Sequence, residues 1–585
     1  MFDIFIKLGW FFKEHWKRYT IAIILLLIAN VVEIVPPFLV GMAIDDIFVG
    51  ELTQELLVQY VMILAGIAVV AYIINYVWQY LLFSGAHKIE RRLRSMFMGH
   101  MLKMTPTFYE RNRTGDLMAR ATNDLKAVSV TAGFGVLTLI DSTAYMLTII
   151  VAMGFLVSWE LTIAAILPLP ILAIVMQFLG KKIHERYTQA QDAFGDLNDR
   201  VLESVAGVRV IRAYVQERED EKTFFEGTED VYQKNLKVAF IDSLFNPLTK
   251  IITGMSYMIG LGYGSYLVFN QSITLGELVA FNVYLGMLIW PMFAVGELIN
   301  IMQRGNASLD RVNETLNYTE DVPDPLQPAF PGELQGIEFK QTDFQYPSSN
   351  VPNLSNVSVR IDQGQTLGIV GKTGSGKTTF VKQLLKEYPL GEGDIVLSGI
   401  SIAEQKRNHV LSWIGYVPQE HVLFSKTVRE NILFGADEAS EEDIIRAIKM
   451  AHFEKDLEML PDGLETLVGE KGVALSGGQK QRISIARALI DDPSLLILDD
   501  SLSAVDAKTE SAILENIKNE RKGKTTIITT HRLSAVEHAD WILVINEGCV
   551  MEEGTHQQLI ERKGWYFEQF ERQQVEESLL EEVRS

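Results

Sequence analysis

Eight residues at positions 371–378, G-K-T-G-S-G-K-T, have the composition of a loop that holds nucleotide phosphates. They follow TLGIV, an apolar run of buried-strand type, and open the helical run TTFVKQLLKEY, so the strand–loop–helix setting that such a loop requires is present. Gly371, Lys372, Thr373, Gly374, Ser375 and Gly376 form the cradle, with the glycines letting backbone N–H groups turn inward around the phosphates. Lys377 adds a positive charge toward the β and γ phosphates, Thr378 can ligate Mg²⁺, and Thr379 carries the chain on into the helix. Downstream, LLILDD at 495–500 suits a central parallel strand that ends in Asp499, at the strand end where ligands collect in open sheets. Alone, Asp499 would read as a helix N-cap; beside a phosphate loop it reads as the carboxylate that holds the metal through water. Between the two lies LSGGQ at 475–479, where Ser476, Gly477, Gly478 and Gln479 can stand at the start of the helical run KQRISIARALI. There they would offer donors and a positive dipole end to an anion.

The elements that must carry these residues fall into two parts. A chain of 585 residues exceeds one ordinary core, and 48% hydrophobic residues fit a partly membranous protein. The net charge of -21 argues against nucleic acid as a partner, and the single Cys549 excludes an internal disulfide or a thiolate cluster. The N-terminal twenty residues mix Phe and Trp with Lys and Arg, which predicts an interfacial elbow helix and no cleavable signal. Six apolar stretches follow at 20–44, 56–84, 136–157, 161–180, 243–269 and 275–302, each near the roughly 20 residues that cross a bilayer. Pro36 and Pro37 should kink the first.

Basic residues crowd the connections after spans two and four, among them Arg91, Arg92, Arg94, Arg111, Arg113, Arg209 and Arg212, while the three opposite loops carry none. This asymmetry places both termini on the cytoplasmic side of the cell membrane. Those two connections have helical periodicity and breaks at 112–116 and 206–207, so the helices should continue below the membrane. The proline-rich stretch 318–333 separates a membrane domain, 1–317, from an α/β domain, 334–585, with a largely parallel sheet.

The order phosphate loop, LSGGQ, LLILDD resembles the catalytic core of the ABC-type ATPases, and the six spans resemble half of an ABC exporter. The resemblance implies an α-helical membrane domain of six transmembrane helices fused to a P-loop nucleotide-binding domain, with ATP and Mg²⁺ as ligands. It gives Tyr346 the role of stacking on adenine, Gln419 that of sensing Mg²⁺ and γ-phosphate, and His531 that of orienting the attacking water. By residue type alone, Tyr346 and His531 would be packing residues. The same resemblance makes 503–506, SAVD, the loop crossing between two nucleotide sites, Glu470 an acidic contact to a partner's cytoplasmic helices, and the two breaks coupling helices. Because the family uses LSGGQ on the opposite subunit's ATP, one chain cannot complete a site.

One position departs from the pattern: Asp500 stands where the family has the glutamate that polarises water. A carboxylate one methylene shorter should leave binding intact and slow hydrolysis, unless Asp500 shifts locally and serves as a slower base. Heterodimeric ABC exporters pair one such weak site with a competent one, so the expected partner is a different half-transporter. Glu33, Asp141, Asp242 and Glu297 are carboxylates within spans, costly if they faced lipid, and Trp290, Tyr145 and Tyr284 lie on the same spans. Glu33, Asp141 and Trp290 are the candidates for receiving amphipathic, cationic drug-like compounds. Asp242 and Glu297 suit pairing or helix ends equally well. A lipid or peptide exporter and a regulatory ATP-binding subunit are the alternatives.

Overall fold

The computed structural model describes residues 3–469, 473–503 and 505–584. The chain forms two compact units, Met1–Leu102 with Thr114–Tyr318, and Lys103–Arg113 with Thr319–Ser585.

The first unit is helical. Short helices Asp3–Lys7 and Gly9–Glu14 precede five stretches long and apolar enough to cross a membrane: Trp16–Val49, Gln54–Met101, Thr114–Leu156, Trp159–Ala206 and Leu275–Leu316. The expected segment 243–269 ends the 53-residue helix Glu217–Phe269, which length and apolarity alone do not single out among the described residues. Gly254, Gly260, Gly262 and Gly264, with Tyr257, Tyr263 and Tyr266, dilute its hydropathy. It buries Ile252 and Leu267, and Leu267 packs with Ile149, Phe281 and Leu288 in the unit's apolar core.

The first span breaks at Glu33 and Ile34, between helices Trp16–Val32 and Val35–Val49, because Pro36 and Pro37 lack the N–H groups that would continue the ladder. The buried Tyr284 hydroxyl donates to the Ile34 carbonyl at this break, 2.8 Å away. Near the other end of the same span, a Cβ on Gly276 would come within 1.9 Å of the Gly41 carbonyl oxygen, so only glycine permits that approach. Within Thr114–Leu156, π turns at Arg120–Asp124, Thr131–Gly135 and Asp141–Tyr145 interrupt the α-helical register.

The breaks read from the sequence bracket short helices. Pro106–Arg111 starts at a proline and stops before Asn112, and Val208–Ala213 is set off by Gly207 and by Val215 at φ 56°. The reversal around the first helix therefore begins earlier than 112–116, at 102–105.

The second unit holds two sheets. The antiparallel sheet has the order β2-β1-β4-β5, from Leu354–Asp362 (β2), Gly336–Phe344 (β1), Glu392–Leu397 (β4) and Ile400–Ser401 (β5). The larger sheet runs β10-β9-β3-β8-β7-β6: Cys549–Gly554, Trp541–Asn546, Thr366–Val370, Thr525–Thr530, Leu495–Asp499 and Ile414–Val417. All its pairings are parallel except that of the edge strand β10. Strand β7 is buried throughout and feeds a core on each face, Leu496 and Leu498 on one and Leu495 and Ile497 on the other. That two-sided burial is what its unbroken apolar run anticipates. Side by side, β3, β8, β7 and β6 bring to one sheet edge the residues that follow their carboxyl ends: Gly371, His531, Asp500 and Gln419.

Candidate nucleotide site

The loop after β3 is shaped by its glycines. Gly371 (φ 152°) and Gly376 (φ 113°) take conformations that side chains disfavour, and a Cβ on Gly371 would lie 2.1 Å from the Ile545 carbonyl oxygen. Lys372, Thr373 and Gly374 are exposed, Ser375 is buried, and the loop is anchored by Gly548 N–H donating to the Ser375 carbonyl at 2.9 Å. Lys377 and Thr378 begin the helix Lys377–Leu384. The Lys377 ammonium donates to the carbonyls of Gly371 and Lys372, each at 2.9 Å, and burial pulls its pKa below the usual lysine range. An anion there would relieve that desolvation.

Asp499, 1% exposed, sits at the end of β7. Its carboxylate accepts from the hydroxyls of Thr378 (3.1 Å), Thr529 (2.6 Å) and Tyr416 (3.4 Å). Burial holds its pKa above the ordinary carboxylate range, and these hydrogen bonds act against that rise. Such a carboxylate beside the Thr378 hydroxyl is an oxygen donor set suited to a hard cation such as Mg²⁺, whose charge would offset the desolvation.

Asp500 follows in the left-handed region, φ 47°. Its N–H is fixed to the Thr529 carbonyl at 2.8 Å and the Thr529 hydroxyl at 3.1 Å, and its Oδ1 lies 3.0 Å from His531 Nδ1. Thr529 therefore holds both aspartates, donating its hydroxyl hydrogen to the Asp499 carboxylate and accepting the Asp500 backbone N–H, although nothing in the run TTIITT distinguishes it beforehand. Gln573 of the C-terminal helix Trp565–Arg584 holds the histidine's backbone, donating to the His531 carbonyl (2.8 Å) and accepting from Leu533 N–H (2.9 Å). Arg532 reaches the carbonyls of Ser503 and Val505 and pairs with Glu510 at 2.6 Å, tying the histidine segment to 503–506. Within that loop Ala504 lies outside the described residues, as does Glu470; Asp506 caps the helix Ala507–Glu520.

Tyr346 packs edge-on against Phe344 and Tyr388, its hydroxyl donates to Thr379 at 3.1 Å, and the Lys382 ammonium lies 5.7 Å from its ring centre. Gln419 is exposed in the segment after β6, and among the described residues no hydrogen bond joins its side chain to Thr378 or Asp499. Ser476 caps the helix Gly477–Leu489 through a reciprocal pair with Gln479. Ser476 and Gly477 are exposed, and among the described residues no hydrogen bond or ion pair joins them to the 371–379 loop.

In the first unit, the Tyr145 hydroxyl donates to the exposed Glu33 at 2.9 Å, and the Trp290 indole donates to the buried Asp141, also at 2.9 Å. Tyr145 and Asp141 share one π turn. Asp242 and Glu297 are both exposed and join neither pair.

Two family profiles match the chain: the ABC transporter transmembrane region over residues 19–292 and the ABC transporter domain over residues 354–503. The chain is 64% identical over 575 residues, 98% of each chain, to a Bacillus subtilis (strain 168) protein named "Probable multidrug resistance ABC transporter ATP-binding/permease protein YheI". To the "Multidrug resistance-like ATP-binding protein MdlA" of Escherichia coli (strain K12) it is 40% identical over 576 residues, again 98% of each chain. A solved bacterial Atm1-family ABC exporter with ATP bound superimposes with TM-score 0.77 at 26% identity, covering 95% of this chain and 99% of the other.

Proposed function

As a chain that belongs to the ABC transporter family and fuses its transmembrane region to its ATP-binding domain, this protein is an ATP-hydrolysing translocase of the exporter type; we propose that it is one half of a heterodimeric multidrug exporter whose own site binds ATP firmly and hydrolyses it slowly. The carrying observation is Asp500. Its backbone is pinned by Thr529 and its carboxylate is engaged by His531, so the shorter side chain cannot recover its missing reach by sliding forward. The relatives named for multidrug resistance support the substrate class, and on length, Asp500 and overall sequence we read the subunit as similar to the BmrC subunit of the exporter BmrCD.

In this reading, residues 371–376 wrap the phosphates with N–H groups, Lys377 leaves its two carbonyl partners for the β and γ phosphates, and Tyr346 flanks the adenine. Thr378 and Asp499, with Gln419 moving in, would hold Mg²⁺, which supplies charge neutralisation on the phosphates. His531 shares the orientation of the attacking water with Asp500. The exposed turn of Ser476, Gly477, Gly478 and Gln479 serves the ATP of the second half-transporter, which brings a true glutamate. Closure of the two nucleotide domains then opens the membrane cavity outward, and hydrolysis at the competent site resets it. Glu33 and Asp141, each already hydrogen-bonded to an aromatic side chain, would receive amphipathic cations beside Tyr145 and Trp290. Both termini and the nucleotide domain face the cytoplasm.

The test is to purify the tagged chain from membranes, weigh the intact complex, and follow ATP-driven accumulation of a cationic dye in inverted vesicles, with Lys377→Ala as control. We expect a complex of two different half-transporters, dye accumulation against a gradient, and loss of ATP binding on this chain in the variant. A homodimer with brisk turnover would sink the unequal-site reading, and a complex that binds ATP without moving dye would leave a regulatory subunit.

A further inference from the structure

Asp456, on the short helix Glu454–Met459, belongs to none of the motifs above, yet its carboxylate reaches the turn that carries Ser476. One oxygen accepts from Gln479 Nε2 at 3.2 Å, and the other pairs with the Arg482 guanidinium at 2.7 Å. Both side chains of the ion pair are largely shielded, 13% exposed for Arg482 and 16% for Asp456. The Gln479 amide spends its other end on the turn itself, with Oε1 accepting from Ser476 N–H at 3.0 Å.

We propose that Asp456 is a positioning residue that holds the 476–479 turn ready for the phosphate it meets in the assembled transporter. This rests on the reading that the turn serves the ATP of the second subunit. An amide can satisfy both partners in one orientation only. With Asp456 accepting from Nε2, Oε1 faces Ser476 N–H; turned over, the amide would set donor against donor and acceptor against carboxylate. Asp456 thereby selects the orientation that completes the cap. In that cap Ser476 Oγ accepts from Gln479 N–H at 3.3 Å, which leaves the hydroxyl hydrogen free to donate outward beside the exposed Gly477. Arg482 has a second task. A bare carboxylate near the start of the Gly477–Leu489 helix would oppose an incoming anion, and the guanidinium cancels that charge while holding it in place.

Because the turn completes the other subunit's site, Asp456 should affect turnover there and leave nucleotide binding at residues 371–378 unchanged. The experiment uses the full transporter complex in membranes, comparing Asp456→Ala, Asp456→Asn, Gln479→Ala, the Asp456→Ala/Gln479→Ala double variant and Ser476→Arg. Readouts are steady-state ATPase kinetics, photo-crosslinking of an azido-ATP to this chain, and the melting temperature. We expect Asp456→Ala to lower kcat about tenfold, the scale of one lost hydrogen bond to a charged group. Labelling of this chain should not change. Asp456→Asn, which can still accept from Gln479 but leaves Arg482 unpaired, should fall between Asp456→Ala and the unaltered complex. In the Gln479→Ala background, Asp456→Ala should cost little further turnover, since it acts through that amide. The proposal is overturned if Asp456→Ala keeps full kcat while Ser476→Arg abolishes it. It is equally overturned if the Asp456→Ala loss is undiminished without Gln479, or merely follows a lowered melting temperature. If Ser476→Arg itself leaves turnover intact, the reading of the turn fails with it.

Discussion

Lengthening Asp500 by one methylene should change this transporter more than any other conservative substitution in the site. The added bond advances the carboxylate by about 1.5 Å, and the backbone cannot absorb the change because Asp500 N–H is held by both oxygens of Thr529, at 2.8 and 3.1 Å. A displacement on the order of 1 Å in a reacting group costs about a hundredfold in rate, equivalent to roughly 2.7 kcal/mol of barrier. Part of that gain is lost, because at φ 47° an aspartate tolerates the left-handed conformation better than a longer side chain. Asp500→Glu should therefore raise hydrolysis at this site by roughly thirty- to a hundredfold, with ATP affinity unchanged because residues 371–378 are untouched. Single-turnover hydrolysis by the purified complex separates the sites: a fast and a slow phase of similar amplitude are expected, and the substitution should bring the slow phase close to the fast one. A single fast phase in the unaltered complex, or a slow phase indifferent to Asp500→Glu, would refute the reasoning that reach is the limiting defect.

In the membrane domain, Glu33→Gln and Asp141→Asn should each reduce vesicle transport of a permanently cationic dye about tenfold, the worth of one charge contact in a partly dry site, while a neutral dye of similar shape is spared. Equal loss for both dyes would show that the carboxylates act through packing. In the nucleotide domain, His421 lies in the loop after β6, its Nδ1 is buried with no hydrogen-bond partner among the described residues, and desolvation lowers its pKa. A depressed histidine contributes stability above its unfolded value, near 6.5, and that contribution is lost as pH falls through the lower folded value. Thermal melts from pH 8 to 5 should accordingly show a shallower acid loss for His421→Asn than for the unaltered protein, and parallel curves would remove His421 from the account.

Much of the site could be read in the sequence because each piece is local. The phosphate loop, the LLILDD run with its two aspartates and the capped turn at Ser476 are all defined by residues within eight positions of one another. The parallel sheet then had only to set β3, β8, β7 and β6 side by side. Residues joined across long separations carried no such mark. Thr529, Tyr416, Gln573 and Asp456 are ordinary by type and spacing, and they matter through partners 30, 83, 42 and 23 residues away. In the membrane unit, hydropathy pointed to the spans, but it could not show that Glu33 meets Tyr145 and Asp141 meets Trp290, pairings made between different helices. The segment 243–269 shows the limit in another way, since glycines and tyrosines that suit close helix packing also blunt the apolar signal.

The hold of Gln573 on the histidine segment has a practical corollary for how the polypeptide is handled. Its side chain grips the main chain on both sides of Arg532, although it lies only twelve residues from the carboxyl end of the 585-residue sequence. Trimming that end to aid crystallisation, or fusing a bulky reporter just after residue 572, would unfasten the ring that faces Asp500 without touching any recognised motif. Kinetic comparisons between differently tagged preparations are therefore sound only when each keeps this amide and the helical turns that present it.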